Sequence, residues 1–297
     1  MARLADSLPS NASGDLYVDR TCIDCDLCRQ LAPSTFGRDD RAGQSHVRAQ
    51  PADDDGRHRA LMALVTCPTA SIGMTRKLDT RAASHAFPTP VPGAAATDLA
   101  EVRFCGYASA DSYGASSWLV LRPDGNVLVD SPRAAAALMN EVAALGGVRW
   151  MFLTHQDDVA DHAAWRERFG CERVLHRDDI RAGTRDVERI IDGHDPVRLA
   201  DDLLVIPVPG HTRGSSALLY RDAVLFSGDH VWADDDETGL DAGRDVCWYS
   251  WPEQRRSVAR LADHTFTHVL PGHGRPFHAA SPAAMRAAID ALSRAMM

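Results

Sequence analysis

The sequence predicts an α/β protein in two parts, and three observations support this. From residue 101 onward, short apolar stretches typical of strands alternate with stretches of helical character. A short cysteine-rich segment precedes them, and a stretch rich in proline and alanine separates the two parts. In the second part, four apolar runs end on a histidine or an aspartate. We therefore expect a small domain over residues 1–75, a linker over 76–100 and an α/β domain over 101–297.

Composition and charge exclude several classes of function. The 297 residues, of which 45% are hydrophobic, suffice for a sizeable core. The 41 acidic residues exceed the 32 basic ones, and the net charge of −9 argues against a nucleic-acid partner. The N-terminus lacks the apolar core of a signal peptide, and no run approaches the ~18 apolar residues of a membrane helix. We expect a cytoplasmic protein with no membrane partner, whose cysteines are thiols or metal ligands.

The first part has the local signals of a small folded module. Leu16–Asp19 predicts a short strand, and Arg57–Val65 predicts a helix that leads into Cys67. The acidic run Asp53–Asp55 lies before that helix, where negative charge stabilises a helix N-terminus. The cysteines of this part follow the pattern C-x2-C-x2-C and then Cys-Pro, and they are Cys22, Cys25, Cys28 and Cys67.

This cysteine spacing is typical of an iron–sulfur protein, because three closely spaced thiolates and one distant thiolate before a proline can hold a cubane cluster. The pattern resembles a bacterial-type ferredoxin reduced to one cluster, since Ala32 and Pro33 occupy the place of the second cluster's ligand and its following proline. The resemblance implies an α+β ferredoxin-like domain with a [4Fe-4S] cluster, because the middle cysteine, Cys25, is present. A zinc site or reduced structural cysteines are the alternatives, although no second C-x2-C or histidine pair lies near Cys67.

The second part begins with a hairpin signal. Trp118–Leu121 and Asn126–Val129 predict two strands, and Pro123-Asp124-Gly125 between them is a turn sequence. Further along, Arg133–Leu145 predicts a helix that ends at a glycine pair, and Arg149–Thr154 predicts the next strand. A helix through residues 163–169 then ends at Gly170.

Four of the predicted strands end on potential metal ligands. A strand that ends in a tight turn and then offers histidine or aspartate places that ligand at the rim of a sheet. Imidazole and carboxylate groups from several such strands can converge on one cation. The four stretches are Phe152–His155, Val208–His211, Phe226–Asp229 and Leu270–His273. The sequence therefore predicts a metal site.

The order of these motifs resembles the metallo-β-lactamase-fold hydrolases over about residues 101–280. The motifs are Thr-His at 154–155, Gly-His-Thr at 210–212, Ser-Gly-Asp at 227–229 and Pro-Gly-His-Gly at 271–274. The resemblance implies a four-layer αββα sandwich with two metals at the sheet edges. It further implies that His211 binds the first metal, that Asp229 bridges both and that His273 binds the second. Asp130 matches an aspartate that supports the site without binding metal.

The first motif departs from the family pattern H-x-H-x-D-H. Without gaps, Asp157 replaces the second histidine, and Val159 and Ala160 fall where Asp and His belong. A two-residue insertion instead restores the final pair as Asp161-His162. We favour the insertion, because an Asp-His pair at the start of a helix is otherwise explained only as a solvated first turn. In the gapless register, the neighbouring Asp158 is the nearest carboxylate.

These observations predict a metal-dependent hydrolase that uses a metal-activated water on a small-molecule substrate. Asp161 and Asp229 are the predicted catalytic residues, with Asp161 steering the water. A carboxylate at position 157 favours iron or manganese relative to an all-histidine zinc site, so one or two ions of zinc or iron are expected. Thioesters, lactams, lactones and phosphoesters all remain candidate substrates. The predicted metal ligands are His155, Asp157, Asp161, His162, His211, Asp229 and His273.

Two other functions remain open. The ferredoxin-like domain and Asp157 would suit an iron-dependent oxidoreductase that receives electrons from the cluster, with a redox partner protein. The resembling family includes flavodiiron proteins with a carboxylate at that position, although no phosphate-binding loop of a flavin module is found in this sequence. A non-catalytic redox carrier or sensor is the third alternative. The aromatic residues Trp232, Trp248, Tyr249 and Trp251 could form a lid over the substrate or pack in the core.

Overall fold

The structure is a computed structural model, and it describes residues 1–91 and 99–297. The helices are α1 (Leu27–Leu31), α2 (Asp54–Thr66), α3 (Arg81–Ser84), α4 (Ala136–Ala144), α5 (His162–Phe169), α6 (Trp251–Arg260) and α7 (Pro282–Ala295). The strands are β1 (Leu16–Val18), β2 (Phe36–Asp39), β3 (Gln44–Val47), β4 (Ile72–Met74), β5 (Thr89–Pro90), β6 (Val102–Phe104), β7 (Trp118–Val120), β8 (Val127–Val129), β9 (Trp150–Phe152), β10 (Glu172–His176), β11 (Arg189–Ile191), β12 (Val197–Ala200), β13 (Leu203–Pro207), β14 (Ser216–Tyr220), β15 (Val224–Gly228), β16 (Trp232–Ala233), β17 (Leu240–Asp241), β18 (His268–Pro271) and β19 (Phe277–His278). The α/β class is confirmed.

The chain divides into two compact units. The first contains residues Met1–Arg149 and Ala160–Cys171, and the second contains Trp150–Val159 and Glu172–Met297. The predicted linker lies partly outside the described residues, since 92–98 are not described. The described part of the predicted linker includes α3 and β5. The domain boundaries expected from the sequence stay a prediction.

The first unit contains the cysteine-rich segment. There β1 pairs with β4 and β2 pairs with β3, both antiparallel. Helix α2 begins three residues before the predicted start, because the side chain of Asp53 accepts a hydrogen bond from the Gly56 N–H and caps the helix. The acidic run therefore starts the helix instead of preceding it.

The first unit also holds an antiparallel run of strands in the order β5-β6-β7-β8. The predicted hairpin is confirmed as β7 and β8, and Gly125 in its turn has φ +103°. Helix α4 begins three residues later than predicted, because Ala135 is still extended at ψ 133°. Helix α5 ends as predicted at Gly170, which adopts the left-handed conformation at φ +66°.

The second unit contains two larger groups of strands and the antiparallel pair of β16 and β17. One is parallel, with β9 and β11 on either side of β10. The other has the order β12-β13-β14-β15-β18-β19, in which only β15 and β18 are parallel among the described pairs. Buried residues of this sheet pack with buried residues of the two helices, such as Val258 of α6 and Ile289 of α7. The sheet thus has a helix-covered face that excludes water.

No helix within residues 1–91 and 99–297 combines the length and the apolar character that crossing a membrane requires.

Candidate metal centre and iron-sulfur site

Strand directions in the second unit bring three of the predicted ligands to one sheet edge. Strands β15 and β18 are parallel neighbours, with Gly228 opposite Pro271, so the residues that follow them emerge together. Strand β13 runs antiparallel to β14, which is antiparallel to β15, and it therefore ends at the same edge. His211, Asp229 and His273 follow these three strands.

His155 follows β9 and is fully buried. Its Nδ1 lies 3.0 Å from the hydroxyl of Thr154, so that hydroxyl fixes the ring orientation. Its Nε2 is buried and has no hydrogen-bond partner among the described residues. Residue 228 can lie this close to Thr154 only as a glycine. A Cβ at Gly228 would lie 2.6 Å from the Thr154 Oγ1, and Gly228 has φ +52°. A buried imidazole nitrogen of this kind suits a metal ligand.

Four donor atoms lie close to one another in this site, and each histidine nitrogen lies near two aspartate oxygens. His155 Nε2 lies 4.0 Å from Asp157 Oδ2 and 3.8 Å from Asp229 Oδ2. His211 Nε2 lies 3.9 Å and 3.7 Å from the same two oxygens. Tetrahedral ligands at metal distances of 2.0–2.2 Å are separated by about 3.3–3.6 Å. The four histidine–aspartate separations are only a few tenths of an ångström wider. Asp157 and Asp229 themselves fall in two different candidate ligand groups, each of which includes His155.

Asp158 is the residue that our favoured register left without a role. It is fully buried, and it forms a second candidate group with His155 and Asp229, whose ligand atoms all lie within 4.8 Å of one another. A Cβ at Gly272 would lie 2.8 Å from both Asp158 Oδ2 and Asp229 Oδ1. Only a glycine lets the Pro-Gly-His-Gly backbone pass this close to two carboxylates. In the sequence, Asp158 was indicated only by the alignment of the first metal motif without an insertion, in which it is the nearest carboxylate.

His273 bonds directly to Asp229. Its Nδ1 lies 2.8 Å from Oδ1 and 2.9 Å from Oδ2, and its backbone N–H donates to Oδ1 at 3.1 Å. In the described residues His273 does not belong to either candidate ligand group. The structure therefore places it beside the four-donor centre, in contact with the aspartate that was predicted to bridge two metals.

Burial and charge set the protonation of these groups. Burial, against the opposing charge of Asp229 and together with the neighbouring His211 and His273, lowers the pKa of His155 to about 3. Burial alone would raise the pKa of Asp229, but His273, His155 and His211 outweigh it and the pKa falls. Burial raises the pKa of Asp157. A neutral imidazole and an ionised Asp229 are the forms that bind a cation.

Asp179 connects the loops that carry the ligands, and nothing in the sequence signalled it. Its side chain is fully buried after β10. Oδ2 accepts hydrogen bonds from the Gln156 N–H at 3.1 Å and from the Thr212 hydroxyl, and Oδ1 accepts one from the Gly214 N–H at 2.8 Å. One carboxylate thus holds the residues next to His155 and His211.

Asp161 and His162 belong to the first unit. The carboxylate of Asp161 accepts a hydrogen bond from the Ala134 N–H at 2.7 Å, and its carbonyl accepts from Ala164 at the start of α5. His162 is buried as the first residue of that helix. Asp130, expected to support the site, is also buried in this unit and has φ +57°. Neither candidate group among the described residues includes Asp161 or His162, and their predicted metal binding stays a prediction.

The cluster cysteines line one cavity in the first unit, together with apolar residues such as Val18, Leu27 and Ile72. The N–H of Ser71 donates to Cys67 Sγ at 3.3 Å. Further backbone N–H groups donate to Cys22 and Cys25. Donors aimed at sulfur stabilise the thiolate form, which is the ligand form.

The same cavity bears on the choice between a cluster and a zinc ion. Zinc–thiolate bonds of about 2.3 Å would bring the sulfur atoms to about 3.8 Å from one another. Among the described residues, no three cysteines have sulfur atoms within 4.8 Å of one another. Burial raises the pKa of Cys25 and Cys28 to about 12. Sulfur atoms that lie further apart than a zinc ion requires suit a cluster. Assembly of the cluster must displace the protons of the Cys25 and Cys28 thiols.

Comparisons with known proteins agree with both parts of the sequence interpretation. Residues 18–74 match the family model for the 4Fe-4S single cluster domain of Ferredoxin I. A curated relative, hydroxyacylglutathione hydrolase of Acidiphilium cryptum (strain JF-5), is 31% identical over 126 residues, which are 42% of this chain and 51% of that protein. The chain therefore spans about half the length of the curated relative.

Two solved structures also match. The BLEG-1 B3 metallo-beta-lactamase is 19% identical with a TM-score of 0.49, over 60% of this chain and 93% of that chain. ETHE1 from Myxococcus xanthus is 21% identical with a TM-score of 0.47, over 65% and 84% respectively. The recognition made from the motifs is confirmed: residues 18–74 match a single-cluster ferredoxin domain, and the chain is similar to hydrolases of the metallo-β-lactamase fold.

Proposed function

We propose that the second part of the chain is a metal-dependent hydrolase whose residues His155, Asp157, His211 and Asp229 hold a divalent cation. The observation that carries this proposal is the separation of 3.7–4.0 Å between the histidine Nε2 atoms and the aspartate Oδ2 atoms. A cation bound there would polarise a carbonyl or phosphoryl group and lower the pKa of a water.

The protein residues keep the site ready for that cation. Thr154 orients His155, and Asp179 orients the flanking loops. The His273 backbone N–H donates to Asp229 Oδ1, while Oδ2 faces His155 and His211. Because these side chains are buried and already oriented, little reorganisation is needed when the cation or the substrate binds.

A second cation, as predicted from the sequence, would use Asp161, His162 and His273, with Asp229 between the two ions. Asp161 remains the residue proposed to orient the attacking water and to accept its proton. The Ala134 N–H restricts the orientation of its carboxylate. Asp158 is the competing ligand for this position because it lies near His155 and Asp229.

The substrate that we propose is a small acyl compound, such as a thioester, a lactone or another activated ester. The similarity to a hydroxyacylglutathione hydrolase supports an acyl substrate over a phosphoester. The two-aspartate donor set favours iron or manganese relative to zinc. We therefore expect an iron-containing hydrolase, with zinc as the alternative.

We further propose that Cys22, Cys25, Cys28 and Cys67 hold a [4Fe-4S] cluster that transfers electrons to a redox partner or senses the redox state.

The same observations favour one other function, an iron-dependent oxidoreductase supplied with electrons by the cluster. Its specific support is the carboxylate of Asp157 within the donor set. Metal analysis and electron paramagnetic resonance of anaerobically purified protein distinguish these, because iron beyond the cluster that changes oxidation state during turnover indicates the oxidoreductase.

The experiment that tests the hydrolase is Asp229→Asn. The amide keeps the size of the side chain but removes the charge that faces both histidines, so metal content and esterase or thioesterase activity should both fall. Asp235→Asn, on the exposed part of the second unit, is the matched control. Full metal and full activity in Asp229→Asn would place Asp229 outside the site.

A further inference from the structure

Large aromatic side chains are exposed beside the metal centre. Trp248 is 67% exposed and Tyr249 is 48% exposed, whereas most large apolar side chains of the second unit are buried. An aromatic ring carries 150–250 Å² of surface whose exposure to water is unfavourable. Such exposure calls for an explanation when the backbone beneath it is rigid.

The backbone beneath these rings is attached to the loop of His211. The N–H groups of Trp248 and Tyr249 both donate to the His211 carbonyl at 3.0 Å. The N–H of Ser250 donates to the Gly210 carbonyl at 3.0 Å, and the Cys247 thiol donates to the same oxygen at 3.1 Å. These bonds hold the aromatic segment in a defined position, so the rings stay exposed.

The Trp248 ring also packs against His211, one of the proposed metal ligands. Its centroid lies 6.4 Å from that of His211, in an edge-on arrangement. A second tryptophan, Trp232, packs closely on Gly274, since a Cβ there would lie 2.7 Å from the Trp232 Cγ. Gly274 directly follows His273. Aromatic surface therefore lies next to His211 of the proposed centre and near His273, which lies beside that centre.

A group that packs on the side of the Trp248 ring nearest His211 comes close to that imidazole. A protein partner at this position would obstruct the centre, whereas a substrate has to reach it. The residues around the ring also lie near three carboxylate side chains, Asp157, Asp158 and Asp229, so an uncharged group suits this position better than an anionic one. Flat apolar groups gain most from an aromatic face.

We infer that the substrate of this centre carries an aromatic or similarly flat apolar group next to its scissile carbonyl, and that Trp248 binds this group. The inference rests on the proposed hydrolase function and adds the class of substrate. Trp248 is then a residue that determines specificity, and it acts by contact with the substrate.

Two metal-chelating probes of equal charge test this inference. Acetohydroxamate and phenylacetohydroxamate share the chelating group and differ only in the phenyl ring. We expect the full-length, metal-loaded protein to bind the phenyl compound about tenfold more tightly than the methyl compound, as measured by competition or tryptophan fluorescence. Trp248→Ala should remove most of this difference while changing acetohydroxamate binding less than about twofold. Trp248→Phe should keep part of it.

The matched control is Tyr113→Ala, which removes an aromatic side chain that is 68% exposed in the first unit. In kinetic assays with a constant leaving group, Trp248→Ala should raise the KM of phenylacetyl esters but not that of acetyl esters. Equal binding of both hydroxamates to the wild-type protein, or equal losses for both in Trp248→Ala, would overturn the inference and leave the hydrolase standing. Binding of neither hydroxamate to metal-loaded protein would instead overturn the hydrolase proposal and this inference with it.

Discussion

The buried carboxylate of Asp179 allows a quantitative prediction. It accepts hydrogen bonds from the Gln156 N–H, the Thr212 hydroxyl and the Gly214 N–H. The substitution Asp179→Asn replaces one oxygen by an NH2 group, so at least one of these donors loses its acceptor and faces another donor. A hydrogen bond to a charged group contributes about 1.5–3 kcal/mol to stability. A buried donor left without an acceptor adds a further cost about equal to the contribution of one weak hydrogen bond.

From these values we expect Asp179→Asn to lower the free energy of unfolding of the metal-free protein by about 2–4 kcal/mol. The metal affinity should also fall, by about 10- to 100-fold, because the loops that hold His155 and His211 lose a common anchor. Denaturant unfolding followed by circular dichroism measures the first effect. Competition with a chelator of known affinity measures the second.

The neighbouring Asp178→Asn is the matched control for this prediction. Asp178 forms an ion pair with the exposed Arg213 at 3.2 Å. Pairs at the surface contribute about 0–1 kcal/mol, so this variant should resemble the wild-type protein in both measurements. If the two variants had the same unfolding free energy and the same metal affinity, the role given to Asp179 would be wrong.

Two further predictions concern the cluster and the register of the first metal motif. Cys25→Ser should remove most of the iron, sulfide and brown colour, because Cys25 lines the cluster cavity. Cys105→Ala should retain them, since Cys105 does not line that cavity. Unchanged iron and sulfide in Cys25→Ser would refute the cluster. If the insertion is right, His162→Ala should lower the bound metal from about two ions to about one, whereas Asp158→Ala should retain both ions. Full metal in His162→Ala together with depletion in Asp158→Ala would assign the second position to Asp158 and overturn the insertion.

Much of the fold could be predicted because its signals are local. The hairpin of β7 and β8 follows from alternating strands around an Asp-Gly turn, and the end of α5 follows from Gly170. The start of α2 was misplaced by three residues, because the choice of capping residue within an acidic run depends on one side-chain hydrogen bond. The start of α4 was misplaced for a similar reason, since the extended conformation of Ala135 has no signal in the sequence.

The sequence by itself determined the chemistry of both sites. The cysteine spacing predicted the cluster segment that the family model matches. The strand-ending motifs predicted His155, His211 and Asp229, and the alignment of the first motif predicted Asp157; the structure brings these side chains near one another. Only the tertiary structure decided that Asp158 is buried beside His155, that Asp179 joins two loops, and that Trp248 is exposed next to His211. The reason is physical: ligand type and turn chemistry act over a few residues, whereas burial and orientation depend on contacts between segments far apart in the chain.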